Sequence, residues 1–306
     1  MVQGAPLLLT FDLVALLALF GWLYLAFFRA RFWQPLMEEV PADPESWPII
    51  HIVVPARNEA ELLPVTLRSL LAQDYPGAWQ IFLVDDHSTD GTAKIAEDIA
   101  AKTATALRLT IIQAPEKPEG WSGKVAAMQA GAVESNADYI LFTDADILHD
   151  PKSLRRLAAQ AIETRADLVS RMVLLHCAST AEKLLIPAFV FFFALLYPFR
   201  RASDPESRVA AAAGGVMLVK RKALENIGGL SCIKSAIIDD CALAKAIKKA
   251  GGRQTSRGKI ELAMTQRIKS LRQYPEVKDV RHMIARTAFT QLRTSPVLLA
   301  DTIIGM

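Results

Sequence analysis

The sequence predicts an α/β protein built on a parallel sheet, and three apolar runs carry that reading. Ile49–Val54, Ile81–Val84 and Tyr139–Phe142 are short, rich in β-branched or aromatic side chains, and each ends at a polar turn. The first two continue into helical patterns, Glu61–Ala72 with leucines at 62, 63, 67, 70 and 71, and Ala93–Ala101. Strands alternating with helices form βαβ units, whose parallel strands bring their carboxyl ends to one edge. Open sheets of this kind take ligands at that edge, so the polar turns are where chemistry is expected.

The first turn, Pro55-Ala-Arg-Asn-Glu59, joins its strand to a helix. In the second, Asp85-Asp-His-Ser-Thr-Asp-Gly-Thr92, Ser88, Thr89 and Asp90 offer capping oxygens and Gly91 relieves the turn, so part of the run is how a helix begins. Asp85 and Asp86 are not needed for that and stand at the strand end, where carboxylates accept hydrogen bonds from a ligand. The third turn, Asp144-Ala-Asp146, carries two carboxylates at a spacing that sends both to one side of an extended chain. Two hard oxygen donors there suit Mg2+ or Mn2+ already sharing its shell with phosphate and water. Taken alone the tripeptide is a common polar turn; its ordered neighbours give it meaning.

In order and spacing, Val54-Pro-Ala-Arg-Asn-Glu59, the run Val84–Thr92 and Phe142-Thr-Asp-Ala-Asp146 resemble the family 2 glycosyltransferases with the GT-A fold. The similarity continues through Gly214–Leu230, which resembles the acceptor-side segment, and Ile238-Asp-Asp-Cys-Ala-Leu-Ala244, in the place of an acidic pair that is usually Glu-Asp. The resemblance implies a Rossmann-like sheet that binds a nucleotide-diphosphate sugar, a UDP-sugar first among donors, with a divalent cation, Mg2+ or Mn2+. Residue by residue it implies that Pro55, Ala56, Arg57, Glu59, Asp85 and Asp86 hold base and ribose, and that Lys124 approaches the diphosphate or ribose. Asp144 and Ala145 would face ribose or sugar, and Asp146, with Asp144, would hold the cation. Asp240 is the candidate base for the acceptor hydroxyl and Asp239 its support, in a single displacement that inverts the anomeric centre. Both acids also precede an apparent helix, Cys241–Ala250, whose positive end favours carboxylates, and Lys124 equally suits the surface of a helix Val125–Val133.

Within the family, Gly120-Trp-Ser-Gly-Lys124 and Ala285–Leu292 are most similar to the hopene-associated, HpnB-type branch, which implies a lipid-type acceptor and a place in hopanoid metabolism; a saccharide acceptor is the alternative. Processive relatives carry Gln-x-x-Arg-Trp near this region. No tryptophan occurs after Trp121, which argues for transfer of one sugar. A non-catalytic nucleotide-sugar-binding protein would keep Asp85 and Asp86 without depending on Asp240, and a nucleotidyl-transferring relative would want a Gly-rich phosphate loop that is lacking.

Composition locates the activity. With 52% hydrophobic residues and mean hydropathy +0.23, the 306-residue chain has apolar sequence beyond the needs of one core. Leu7–Phe28 is apolar apart from Thr10, Asp12 and Gly21, and Arg29 and Arg31 come directly after it. Its length is near the roughly 20 residues of a bilayer span, and basic residues at its end place the remainder of the chain in the cytoplasm, at the inner membrane. The charged start and small-residue end of a cleaved signal peptide are missing. A second apolar block, Leu184–Phe199, is broken by Pro187 and Pro198; a re-entrant or interfacial helix and a buried core helix both fit it. From Arg200 to Arg272 there are 16 Lys and Arg against 6 Asp and Glu, although the whole chain is only +3, a face suited to anionic lipid. No nucleic-acid signature accompanies it.

The organisation expected is therefore an anchor over 1–31, a linker over 32–48, a catalytic domain over 49–269 that contains the 184–199 block, and a basic amphipathic tail over 270–306 leading into a further apolar segment. Cys177, Cys232 and Cys241 have neither metal-ligand nor disulfide spacing. The histidines form no ligand pair, and His149, three residues after Asp146, is expected to be a solvated loop residue.

Overall fold

The computed structural model describes residues 5–103, 106–251 and 258–291, with side chains over 12–103, 107–250 and 258–285. The three predicted runs are strands β1 (Ile50–Ala56), β2 (Trp79–Asp85) and, after β3 (Leu109–Gln113), β4 (Tyr139–Thr143). With β5 (Ile147–Leu148), β6 (Leu168–Leu174), β7 (Val216–Lys220) and β8 (Ile260–Ser270) they form one sheet ordered β3-β2-β1-β4-β7-β6-β8-β5. The first four strands run parallel, as expected. The second half is mixed: β7 lies antiparallel to both β4 and β6, β5 antiparallel to β8, and β6 parallel to β8. An apolar run buried on both faces looks the same whichever way it points, so this reversal leaves no mark in the pattern.

Successive strand residues pack on opposite faces of the sheet. Ile52, Val54, Leu83, Leu141 and Leu218 pack on one face beneath α2 (Leu63–Leu71), α3 (Thr92–Ala101) and α5 (Ser153–Thr164), which come after α1 (Ala5–Phe28) and flank α4 (Gly123–Val133) in the chain. Val53, Val84, Phe142 and Met217 pack on the other beneath α4, α6 (Thr180–Leu196) and, beyond α7 (Phe199–Ser203) and α8 (Arg221–Asn226), α9 (Asp239–Gly251). Gly131 lets α4 lie close on the sheet: a Cβ there would fall 2.6 Å from Val53 Cγ1.

Register places the turns. Ala56 pairs with Asp85 and Val53 with Phe142, so the ends of β1, β2 and β4 open on one edge. Thr143 pairs with Val216 in the antiparallel β4–β7 ladder, which brings Gly214 to the same edge. Ile147 pairs with Ser270, which lays the segment after β8 beside Asp146, ahead of α10 (Val277–Gln291).

The segment expected as a linker is tied down. Met37 bridges to Met264, the Glu38 carboxylate accepts from Thr265 Oγ1 at 2.6 Å and meets Arg171 and Arg267, and Asp43 pairs with Arg155. The 184–199 block lies mostly in α6, whose Ile186, Phe192 and Phe193 are buried while Leu184 is 72% exposed. Ser179 and Glu182 close a capping box at its start, and Pro187 in its second turn is tolerated within it.

Among the described residues no helix is long and apolar enough to cross a membrane. The anchor expected over 1–31 is therefore not found as a span among them, and residues 1–4 of it lie outside the described residues. In α1, apolar side chains are nonetheless open to the outside: Leu13, Leu17, Phe20, Phe27 and Phe28 are all more than half exposed. Arg29 fixes the end of α1 to the end of α6, donating to the carbonyls of Leu195 at 3.2 Å and Leu196 at 3.4 Å, which the helix leaves unpaired.

Candidate active site

At the shared edge lies an open cleft of about 910 Å³. Pro55, Ala56, Arg57 and Glu59 from the first turn line it, with Asp86 from the second, Lys124 from the start of α4, and Asp144, Ala145 and Asp146 from the third. Three of the predicted residues are not on its wall. Asp85 is buried behind it at 3% exposure, and Asp239 and Asp240 lie on the far side of Lys124.

The first two turns are built as one unit. Asn58, Glu59 and Ala60 donate their backbone N–H groups to Ser88 Oγ at 3.0 Å, Thr92 Oγ1 at 2.9 Å and Asp90 Oδ2 at 3.0 Å. The oxygens expected to cap α3 are largely spent on this neighbour instead, and Gly91, at φ +89°, occupies the N-cap position itself. Asp90 still accepts from the Thr92 N–H, one residue into the helix. On this platform Arg57 Nη1 lies 3.3 Å from Asp86 Oδ2. Asp85 Oδ2 accepts from the Ser88 N–H at 3.4 Å, while its Oδ1 is buried with no hydrogen-bond partner among the described residues, an orphaned acceptor of the sort a bound ligand satisfies.

At the centre every carboxylate meets a cation of the protein. Lys124 Nζ sits 2.7 Å from Asp144 Oδ1 and 3.5 Å from Asp239 Oδ2. Asp146 Oδ2 accepts from Ser270 Oγ at 2.8 Å and faces Arg272 Nε at 3.5 Å, while the guanidinium also holds Glu59. Burial pushes the Asp144 pKa up, Asp146 and Asp239 add to it, and Lys124 opposes them. Burial likewise raises Glu59 against the pull of Arg272. Desolvation draws the Lys124 ammonium down, but Asp144, Asp239 and Asp240 outweigh it and hold it firmly protonated.

Asp144 and Asp146 are oxygen donors on one wall, which is the chemistry a hard divalent cation requires. Among the described residues no group of three or more His, Cys, Asp or Glu could hold a metal alone. The donor set thus fits a cation that completes its shell on a diphosphate and water.

Behind Lys124 the carboxylates crowd. Asp240 Oδ1 accepts from its neighbour's Cys241 N–H at 2.6 Å. Gly214 makes room for it, since a Cβ there would lie 3.2 Å from Asp240 Oδ2 and 3.5 Å from Lys124 Nζ. Burial first and the Asp239 carboxylate second push the Asp240 pKa up to about 7, against Lys124 and the N–H groups of Cys241 and Gly214. Both acids begin α9, in the helix-terminal setting expected of them.

His149 corrects its expectation. It is 3% exposed, and its ring is bracketed by Thr143 Oγ1 at 2.9 Å and Ser153 Oγ at 3.1 Å, because the chain turns inward between β5 and α5. Burial lowers its pKa to about 3, which keeps it neutral.

Sequence reasoning missed the far wall. Arg272, Gln273, Tyr274, Asp279 and His282, in the stretch read as a tail, line the cleft. Their backbone is held in place by Leu271 N–H donating to the Asp146 carbonyl at 2.9 Å and Tyr274 N–H to Glu182 Oε1 at 2.7 Å. Glu182, inside the α6 cap, also meets His176 and two further N–H groups. Desolvation acts to raise it, but these donors prevail and hold it well below the usual carboxylate range. No local signal in the sequence marks the far-wall residues, since their place depends on the pairing of β5 with β8.

The sequence model of Glycosyl transferase family 2 matches residues 51–228, more than half of the chain. The chain belongs to that family. Among curated proteins, this family 2 member is 33% identical over 114 residues to undecaprenyl-phosphate 4-deoxy-4-formamido-L-arabinose transferase of Pseudomonas fluorescens, 37% of this chain and 32% of that protein. It is 32% identical over 129 residues to dodecaprenyl-phosphate galacturonate synthase of Rhizobium johnstonii, 42% of this chain and 36% of that one. The match thus spans about a third of the length of these relatives. Among solved structures, the mannosyltransferase PcManGT of Pyrobaculum calidifontis, in complex with GDP-Man and Mn2+, superposes with a TM-score of 0.66 at 20% identity, over 96% of this chain and 81% of that one. The likeness shows that the two share the GT-A fold.

Proposed function

We propose that this family 2 glycosyltransferase moves a single sugar from a nucleotide-diphosphate sugar to a lipid acceptor at the cytoplasmic face of the inner membrane, inverting the anomeric centre. The observation that carries the proposal is the line of groups from Asp86 through Asp144 and Lys124 to Asp240, which joins a nucleotide platform to a carboxylate with a pKa near neutrality. Arg57, Glu59, Asp85 and Asp86 would take base and ribose, UDP or GDP being the nucleotides to test. Asp146 and Asp144 would hold Mg2+ or Mn2+, which neutralises charge developing on the leaving diphosphate. Lys124 keeps a positive charge beside that group and holds Asp144 in place. Asp240 accepts the proton of an attacking hydroxyl, with Asp239 raising its affinity for that proton. The solved mannosyltransferase contains GDP-Man and Mn2+, which supports this assignment of the cleft.

The lipid acceptor is supported by the two polyprenyl-phosphate relatives, and the resemblance of Gly120–Lys124 to the hopene-associated branch favours a terpenoid lipid. Leu292 of the second resembling stretch lies outside the described residues, as does the apolar 297–306 end. The membrane reading is supported by the exposed apolar side chains of α1 and α6, two helices whose ends are tied by Arg29. The same relatives favour a second reading of the nucleophile: a lipid phosphate is already ionised and needs no base. Titrating folded protein with UDP, GDP and their sugar conjugates, with Mn2+ or EDTA, tests the donor site. Cation-dependent binding of one nucleotide, lost in Asp146→Ala, is expected; cation-independent binding would remove the assignment of Asp146.

A further inference from the structure

Arg272 stands where the proposed cation chemistry would take place, yet no step of the proposed transfer uses it. Its guanidinium spans Glu59 and Asp146, the latter being the carboxylate assigned to the cation. Two partly buried acids on one wall would repel each other, and the arginine is what neutralises them.

The main chain on either side of Arg272 is pinned. Leu271 N–H donates to the Asp146 carbonyl, Arg272 N–H to Ser270 Oγ at 3.3 Å, and Tyr274 N–H to buried Glu182. The side chain, by contrast, is 43% exposed and opens on the cleft.

We infer that Arg272 is a resident cation that pairs with Asp146 and transfers to the donor's diphosphate once a divalent cation takes that carboxylate. This role rests on the donor-site reading under Proposed function. The physical basis is competition and then reuse. A divalent ion entering at Asp146 displaces a positive charge already there, so Arg272 works against metal binding while the cleft holds no nucleotide. Once displaced, its planar fork lies beside a group it matches in charge and geometry, since guanidinium recognises phosphate oxygens in pairs. Arg272 is thus a positioning residue that makes cation and donor arrive together rather than in sequence, a coupling that is reciprocal by necessity.

The two halves of the inference predict opposite signs for one substitution. In Arg272→Ala, Mn2+ alone, monitored by loss of the free-ion electron paramagnetic resonance signal, should bind about fivefold or more tightly than to the wild type, the lower end of ordinary coupling between sites. In saturating Mn2+ the same variant should bind UDP or GDP roughly tenfold more weakly, while UMP or GMP is nearly unaffected. Arg272→Lys keeps the charge and loses the fork, so it should restore the wild-type Mn2+ affinity but not the diphosphate affinity. A residue that merely braced the cleft would weaken both ligands when removed. Folded Arg272→Ala with unchanged or weaker Mn2+ binding, beside a wild type that binds nucleotide in a cation-dependent way, overturns this inference and leaves the donor site standing. A wild type that binds neither Mn2+ nor nucleotide overturns both.

Discussion

The two sides of Lys124 treat their carboxylates differently. Toward the nucleotide platform, four acids on the cleft wall each meet a positive side chain: Asp86 meets Arg57, Asp144 meets Lys124, and Asp146 and Glu59 share Arg272, Asp146 also accepting from Ser270. Toward α9, Asp239 and Asp240 share one lysine, and Asp240 is pushed up to about 7 by burial and by its neighbour. Paired acids are organised to be exchanged for a ligand's charges. A crowded acid is organised to gain and lose a proton near neutral pH. On the proposed function this difference would separate binding from proton transfer within one edge of the sheet, and substitutions on each side should fail in different ways.

The largest effect is expected at Asp146. Asp146→Ala should abolish cation-dependent nucleotide binding, and transfer with it, when binding is measured by calorimetry in Mn2+ and in EDTA. Asp240→Asn should leave that binding intact while transfer falls by about 10²-fold or more, the contribution of a general base. Full transfer in Asp240→Asn would show that the acceptor is already ionised, as a lipid phosphate is.

Asp240 also sets a sign for stability. Its folded pKa of about 7 lies above the ordinary 3.8, so between these values the folded state binds the proton that the unfolded state has released. Stability is therefore lost as pH rises through that window and stays lost above it. Asp240→Asn removes the cost: its melting temperature should exceed the wild type's at about pH 8, and the gain should shrink as the pH falls toward 4. A substitution that inactivates and stabilises together is what a strained acid at a functional site predicts.

Lys124→Gln comes next, because it sits on both sides of the comparison. Lys124 lowers the Asp240 pKa, so its loss should move the acid limb of the transfer profile above about 7. Asp144 would lose its nearest counter-charge at the same time, and nucleotide affinity should fall by roughly tenfold, a typical loss for a charged hydrogen bond. An unmoved acid limb would mean that Lys124 serves the donor alone.

The legibility of these sides in the sequence was unequal. The strands ending at Ala56, Asp85 and Thr143 announced themselves because each is a β-branched run stopped by a polar turn, and parallel register brings those turns together. Asp239 and Asp240 were found through resemblance, since two acids at a helix start are ordinary by pattern. Arg272 was out of reach: it enters the cleft because the two-residue strand β5 pairs antiparallel with β8, a contact between residues more than a hundred positions apart. His149 was misplaced for a similar reason, as the hydroxyls that bury it come from Thr143 and Ser153 on either side of a turn whose direction the sequence does not state.

The smallest effects give the sharpest contrast, because two glycines stand in matching positions on the two sides. A Cβ at Gly123 would fall 3.0 Å from Asp86 Oδ2, and one at Gly214 would fall 3.2 Å from Asp240 Oδ2. Each substitution adds one methyl group and displaces one carboxylate by a few tenths of an ångström, with strain on the order of 1 kcal/mol. Gly123→Ala should therefore weaken nucleotide binding by about fivefold and leave the acid limb of the pH profile where it is, since Asp86 meets the ligand and carries no proton in the reaction. Gly214→Ala should cost less nucleotide affinity than Gly123→Ala, lower transfer by about fivefold, and shift the acid limb, since it presses on Asp240 Oδ2 and disturbs the Gly214 N–H that helps hold Asp240 near 7. If both variants lose affinity alike, the cleft responds as one body and the division at Lys124 falls; if they part as stated, a single methyl group suffices to tell the binding side from the proton side.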